Sequence, residues 1–187
     1  MAKSRLWRSL SAGHRSLIVK LDGLDEYDAR RPMTQTGTNL LGLVKHVATW
    51  ESRYLGFVMG RPFQGPPVPV WDDESARGAD LVVGPNESRA DVLALVESVS
   101  ASSRQTIDAL PLDAAGLVPW WDPSEVTLFD VLVHLVRETE RHAGHADIIR
   151  EQIDGRIGPM GGVRVSDDRE IWAERRAEVE RAARTAG

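Results

Sequence analysis

Apolar residues recur at three- and four-residue steps along four long stretches of this chain, and almost nothing alternates as a strand would. That rhythm marks one face of an α-helix, and four such faces are buried together most simply in an antiparallel four-helix bundle. The first stretch, about 4 to 23, carries Leu6, Leu10, Leu17, Leu21 and Leu24. Asp25 to Thr38 breaks the pattern, because Arg31-Pro32 and Gly37 fit poorly inside a helix. The second stretch opens after Thr38 and Asn39, both good caps, and runs to about Met59, where Gly60 and Arg61-Pro62 stop it. Its stripe is Leu40, Leu43, Val44, Val47, Trp50, Tyr54 and Phe57. Ser88 caps a third helix, about 89 to 109, and Thr127 with Asp130 forms a capping-box variant that opens the fourth. The fourth runs to Asp154 and stops at Gly155. A Gly-rich turn (Gly155, Gly158, Gly161, Gly162) then leads to a charged, weakly amphipathic segment, 166 to 184, read as an extra surface or partner-contacting helix through Ile171, Trp172 and Val179. The expected fold is all-α and a single domain over 1–187, with its core in about 5–160.

Composition narrows the function. With 187 residues and 42% hydrophobic content the chain can bury a core without staples, and the absence of cysteine excludes disulfides, thiolate metal sites and a cysteine nucleophile. A net charge of −5 gives no electrostatic footprint for nucleic acid, and no run of 18 apolar residues spans a membrane. In MAKSRLWRSLSAG, Arg8, Ser9 and Ser11 interrupt any apolar leader, so the expected compartment is the cytosol. Residues 61 to 87 hold five of the ten prolines, and a loop of that length in a compact domain is usually functional.

The fourth helix breaks its own hydrophobic stripe. Its buried line begins Leu128, Val131, Leu135 and continues at the same spacing to Glu138, His142 and His145 before Ile149 restores it. With Glu138 at zero, His142 lies at about +40°, His145 at about −20° and His134 at about −40°, all in a wedge that should be apolar. A buried carboxylate is costly unless a cation offsets it, and residues at i and i+4 can converge on one ion. His134 and His142 are about 12 Å apart in rise and cannot share it. A third donor has to come from another helix, and His46 fits, on the inward line Leu43, His46, Trp50, Phe57. Two imidazoles and a carboxylate with an open position form a ligand set for catalytic Zn that also suits Fe, Ni or Mn. The same residues also read as an i,i+4 acid–base pair within a hydrogen-bonded polar core. His145 reads as a pocket or supporting group, His14 as a core histidine, His134 as structural, and Glu51 as the partner of an arginine on the first helix. Trp50, Trp71, Trp120 and Trp121 read equally as core or as pocket wall.

The segments GTNLLGLVKHVATWESRYLG, VGPNESRADVLALVESV and TLFDVLVHLVRETERHAGHADIIREQIDG resemble the DinB-like family of metal-binding four-helix bundles over roughly residues 5 to 160. LVHLVRETERHAGHADIIR is the most specific part. Many members carry HxxxH there; this chain has Glu138 in the first position, which matches the mycothiol-dependent branch with its His, Glu, His site. The resemblance implies His46, Glu138 and His142 as metal ligands. It further implies a divalent-metal-dependent transferase that borrows its sulfur from a low-molecular-weight thiol such as mycothiol and directs it at an electrophile in detoxification. A metal-dependent isomerase or hydrolase, and a non-catalytic metal-binding stress protein, stand as alternatives. His145 would position the thiol or shuttle its proton, with Trp50, Trp71, Trp120 and Trp121 walling the electrophile and Arg141 or Arg150 meeting a carboxylate. Family members also pair through helices, which implies a homodimer.

Overall fold

The computed structural model describes residues 1–69, 78–157 and 169–186. It is a helical bundle built on α1 (Ala2–Ile18), α3 (Leu40–Glu51), α4 (Arg89–Ala109) and α5 (Leu128–Asp154). α1 packs on α5, and α3 packs on α4, α5 and α1. Local chemistry sets the boundaries. Ser88 and Asp91, and Thr127 and Asp130, form reciprocal capping boxes at the starts of α4 and α5, and Asn39 caps α3 through the Gly42 amide. Gly155 ends α5 in the left-handed conformation, φ +73°.

Four features depart from the expected elements. α1 gives way after Ile18 to a 3-10 turn, Val19–Leu21, and the break at 25–38 holds a short helix, α2 (Glu26–Arg30), capped by Asp25. A two-stranded antiparallel hairpin, β1 (Ala115–Leu117) with β2 (Glu125–Thr127), precedes α5. α3 also stops as an α-helix at Glu51 and continues as a π-helix, Ser52–Val58. π-winding takes more residues per turn, so seven residues no longer complete two turns. Phe57, expected on the inward line with His46 and Trp50, is therefore 57% exposed. Phe57→Ser is expected to shift the unfolding free energy by less than about 0.5 kcal/mol, measured by urea denaturation. The final helix, α6 (Arg169–Thr185), leaves Ile171, Trp172 and Val179 exposed. No helix among the described residues is long and apolar enough to cross a membrane.

Among the described residues the core forms two clusters rather than one. One gathers Leu17, Leu21, Leu40, Leu43, Val44, Val96 and Ile149; the other gathers Leu10, Leu55, Val58, Ile107, Leu128, Leu132 and Leu135. Between them, at mid-bundle, lies a polar layer. On its α1 side His14 Nε2 stands 2.7 Å from Glu51 Oε2, both residues buried. Buried Thr139 of α5 lies against Gly13, where an added Cβ would come within 2.6 Å of its Cγ2. The far side of the layer is a pocket.

Candidate functional site

α3 and α5 each offer one helical face to a cavity of about 300 Å³. From α3 and its π-extension come His46, Val47, Trp50 and Tyr54; from α5 come His134, Leu135, Glu138, Thr139 and His142. These positions repeat at three, four and seven residues, so helical spacing alone aims them at one space. The cavity has two ends of different character.

At one end, the rings of His46 and His142 meet edge to face with centroids 4.7 Å apart. Glu138 stands one turn before His142, its Oε2 3.9 Å from His142 Nε2, and its carboxylate also pairs with Arg141 at 3.1 Å. Burial, then the positive charge of His46, His145 and Arg141, pushes the His142 pKa down to about 4. That ring is neutral at pH 7, and among the described residues its buried Nδ1 has no hydrogen-bond partner.

Behind His46 stands a residue that the helical pattern does not reveal. Asp80 is fully buried in the 3-10 turn Ala79–Leu81, and its Oδ2 meets His46 Nδ1 at 2.5 Å and accepts from Trp50 Nε1 at 2.9 Å. Burial works against its charge, but the His46 hydrogen bond and the charge on that ring hold the carboxyl below the usual range. Asp80 belongs to the 61–87 loop; its only sequence signal was that such a loop tends to be functional.

The other end is aromatic. The His134 ring sits 4.7 Å from Tyr54 and 4.6 Å from Trp121, and burial lowers its pKa. Trp120 donates from Nε1 to the Tyr54 hydroxyl at 3.2 Å and crosses Trp50 edge-on at 5.8 Å. Burial raises the pKa of that hydroxyl. The Arg53 guanidinium lies 5.4 Å from the Trp50 ring and 5.1 Å from Trp120.

The structure brings His46, Glu138 and His142 to one wall, with Trp50 beside them and Trp120 and Trp121 behind the aromatic end. His134, read as structural, lines the pocket. Several expectations are corrected. Arg150 does not line this cavity: it is 3% exposed, donates to the Lys20 carbonyl at 2.6 Å and clasps Asp154 from Nε and Nη2. Asp154 one turn on offers an anion within the same helix, and the guanidinium takes it. Arg141 is exposed on the outer side of Glu138, and His145 is exposed, touching the His142 ring at 5.4 Å without lining the cavity. Glu51 pairs with His14 instead of an arginine. Trp71 lies outside the described residues.

Among the described residues, no group of three or more His, Cys, Asp or Glu side chains already stands as a metal cage. The Glu138 carboxylate lies nearer Arg141, at 3.1 Å, than His142, at 3.9 Å. The donors nevertheless fit a divalent ion. Two imidazoles face each other, one of them neutral with an unpartnered buried nitrogen, and a carboxylate stands one turn away.

A family model described as Mycothiol-S-transferase matches residues 5–155 of the chain. No curated protein matches it.

Proposed function

We propose a chemistry for a chain that belongs to the mycothiol-S-transferase family: its pocket takes a low-molecular-weight thiol of the mycothiol type, activates it at a divalent metal, and directs it at an electrophilic small molecule. The observation that carries the reading is the facing pair His46–His142, with Glu138 beside it, opening onto a cavity whose far wall is aromatic.

His46, Glu138 and His142 would hold the ion. When bound, a divalent metal such as zinc supplies positive charge that favours the thiolate form of an incoming thiol. The neutral state of His142 leaves one ring nitrogen with its lone pair available at pH 7. Rotation of the Glu138 carboxylate away from exposed Arg141 breaks only a solvent-screened pair, so the third donor is recruited at low cost. Trp50, Tyr54 and His134 present flat ring faces to the electrophile and exclude water from the carbon under attack.

The test uses zinc-loaded protein with mycothiol and monochlorobimane, following the fluorescence of the thiol–bimane conjugate. Conjugation above the uncatalysed rate that needs both metal and thiol supports the reading. Metal-loaded protein that leaves the uncatalysed rate unchanged overturns it.

A further inference from the structure

We infer that Asp80 is the positioning residue of this site, fixing the His46 ring with Nδ1 engaged and Nε2 turned to the pocket, and that residues 78–84 form a strap that delivers it. The assignment rests on the reading of His46 as a metal-holding ring.

Asp80 is fully buried, and among the described residues its ion-pair partner is His46 rather than a lysine or an arginine. One of its oxygens, Oδ2, serves both His46 Nδ1 and Trp50 Nε1, while Oδ1 has no hydrogen-bond partner among the described residues. An imidazole on a helix can turn about its ring axis and can carry its proton on either nitrogen. A carboxylate on Nδ1 removes both freedoms and leaves Nε2 as the donor. Since the same oxygen holds the Trp50 indole, the donor ring and the pocket wall keep a fixed relation.

A loop residue acts this way only if the loop is held. The strap runs along the face of α3 that leads into His46. Asn39 Nδ2 donates to the Leu81 carbonyl at 3.4 Å, and Lys45 Nζ donates to the Val82 carbonyl at 2.8 Å and pairs with Glu87 at 2.7 Å. From α2, Arg30 reaches the carbonyls of Gly84 and Glu87. Gly42 lies between the α3 anchors, and a Cβ there would stand 2.1 Å from the Leu81 carbonyl oxygen. The bare backbone at 42 is what lets the strap come close enough for Asp80 to reach His46.

The experiment compares Asp80→Ala, Asp80→Asn and Gly42→Ala with the parent through two readouts. Zinc affinity is measured by competition with a chromophoric chelator. The His46 tautomer is read by long-range 1H–15N correlation on metal-free protein, at a pH where the ring is neutral. Asp80→Ala is expected to weaken zinc binding about 10- to 100-fold and to mix the His46 tautomers. Asp80→Asn, whose amide oxygen can still accept from both rings, keeps the Nδ1–H tautomer and loses less affinity. Gly42→Ala, which alters no donor, reproduces the Asp80→Ala loss by lifting the strap. Folded Asp80→Ala or Gly42→Ala protein with parental affinity and parental tautomer overturns the assignment. A parent that binds no zinc yet shows an Asp80-dependent tautomer overturns the metal reading and leaves the positioning role standing.

Discussion

His142→Ala is expected to strip the protein of tightly bound zinc and to lower thiol conjugation at least a hundredfold, about 2.7 kcal/mol of lost transition-state stabilisation. The ring sits at the crossing of the site: it faces His46 at 4.7 Å and stands one turn after Glu138. Alanine deletes a donor that no neighbour replaces, because His145 is exposed and outside the cavity lining. The helix itself tolerates the change, since alanine is the best helix former, so the far-UV CD spectrum should not move. Elemental analysis of purified protein and kcat/KM with mycothiol and monochlorobimane make the measurement. The pH profile adds a check with a definite sign. Burial and positive neighbours hold the His142 pKa near 4. The ring is thus already neutral at pH 6, so its own protonation should take nothing from zinc binding at that pH or above. Retention of metal and conjugation by His142→Ala would reduce the cluster to a polar core.

Most of the frame is legible in sequence because its signals are local. Ser88 with Asp91 and Thr127 with Asp130 mark helix starts within four residues, and Gly155 marks an end. The interrupted stripe of α5 points to the site for the same reason: 3.6-residue periodicity places Glu138 and His142 where the two apolar clusters part. What stays hidden is non-local or changes the period. The π-segment Ser52–Val58 re-phases α3, so counting in 3.6-residue turns sends Phe57 inward when it faces solvent. Three-residue strands on either side of the 118–124 turn are too short to show alternation. Asp80 lies 34 positions from His46 in a loop without period, and only tertiary contact joins them. For Arg150 the signal is local, because Asp154 at i+4 is visible in sequence and outcompetes a distant pocket for the guanidinium.

The α1 side of the polar layer carries the largest expected stability effect. His14→Ala leaves the Glu51 carboxylate, fully buried, without its cation, and removing one partner of a buried pair costs about 3–5 kcal/mol. Burial alone would lower the His14 pKa, but the Glu51 charge and contact override it and raise the value above 6.5. The sign of the pH dependence follows. A histidine whose folded pKa is raised contributes stability that is fully present below about pH 6.5 and is lost as pH climbs through the folded value. Urea unfolding of the parent should therefore show this contribution in full at pH 6 and its decline as pH rises above 6.5, while His14→Ala shows no such fall. The double variant His14→Leu, Glu51→Met removes both charges and fills the space between Leu10 and Leu17 with apolar volume. It should recover most of the lost stability, because desolvating the two ions costs about as much as their attraction returns. A single-variant cost below about 1 kcal/mol, or a double variant no better than His14→Ala, would show that the pair is not what joins α1 to α3 at mid-bundle. The pair lies across Thr139 from the pocket, so the double variant also separates the two halves of the layer: conjugation should survive in it while the pH slope of stability disappears.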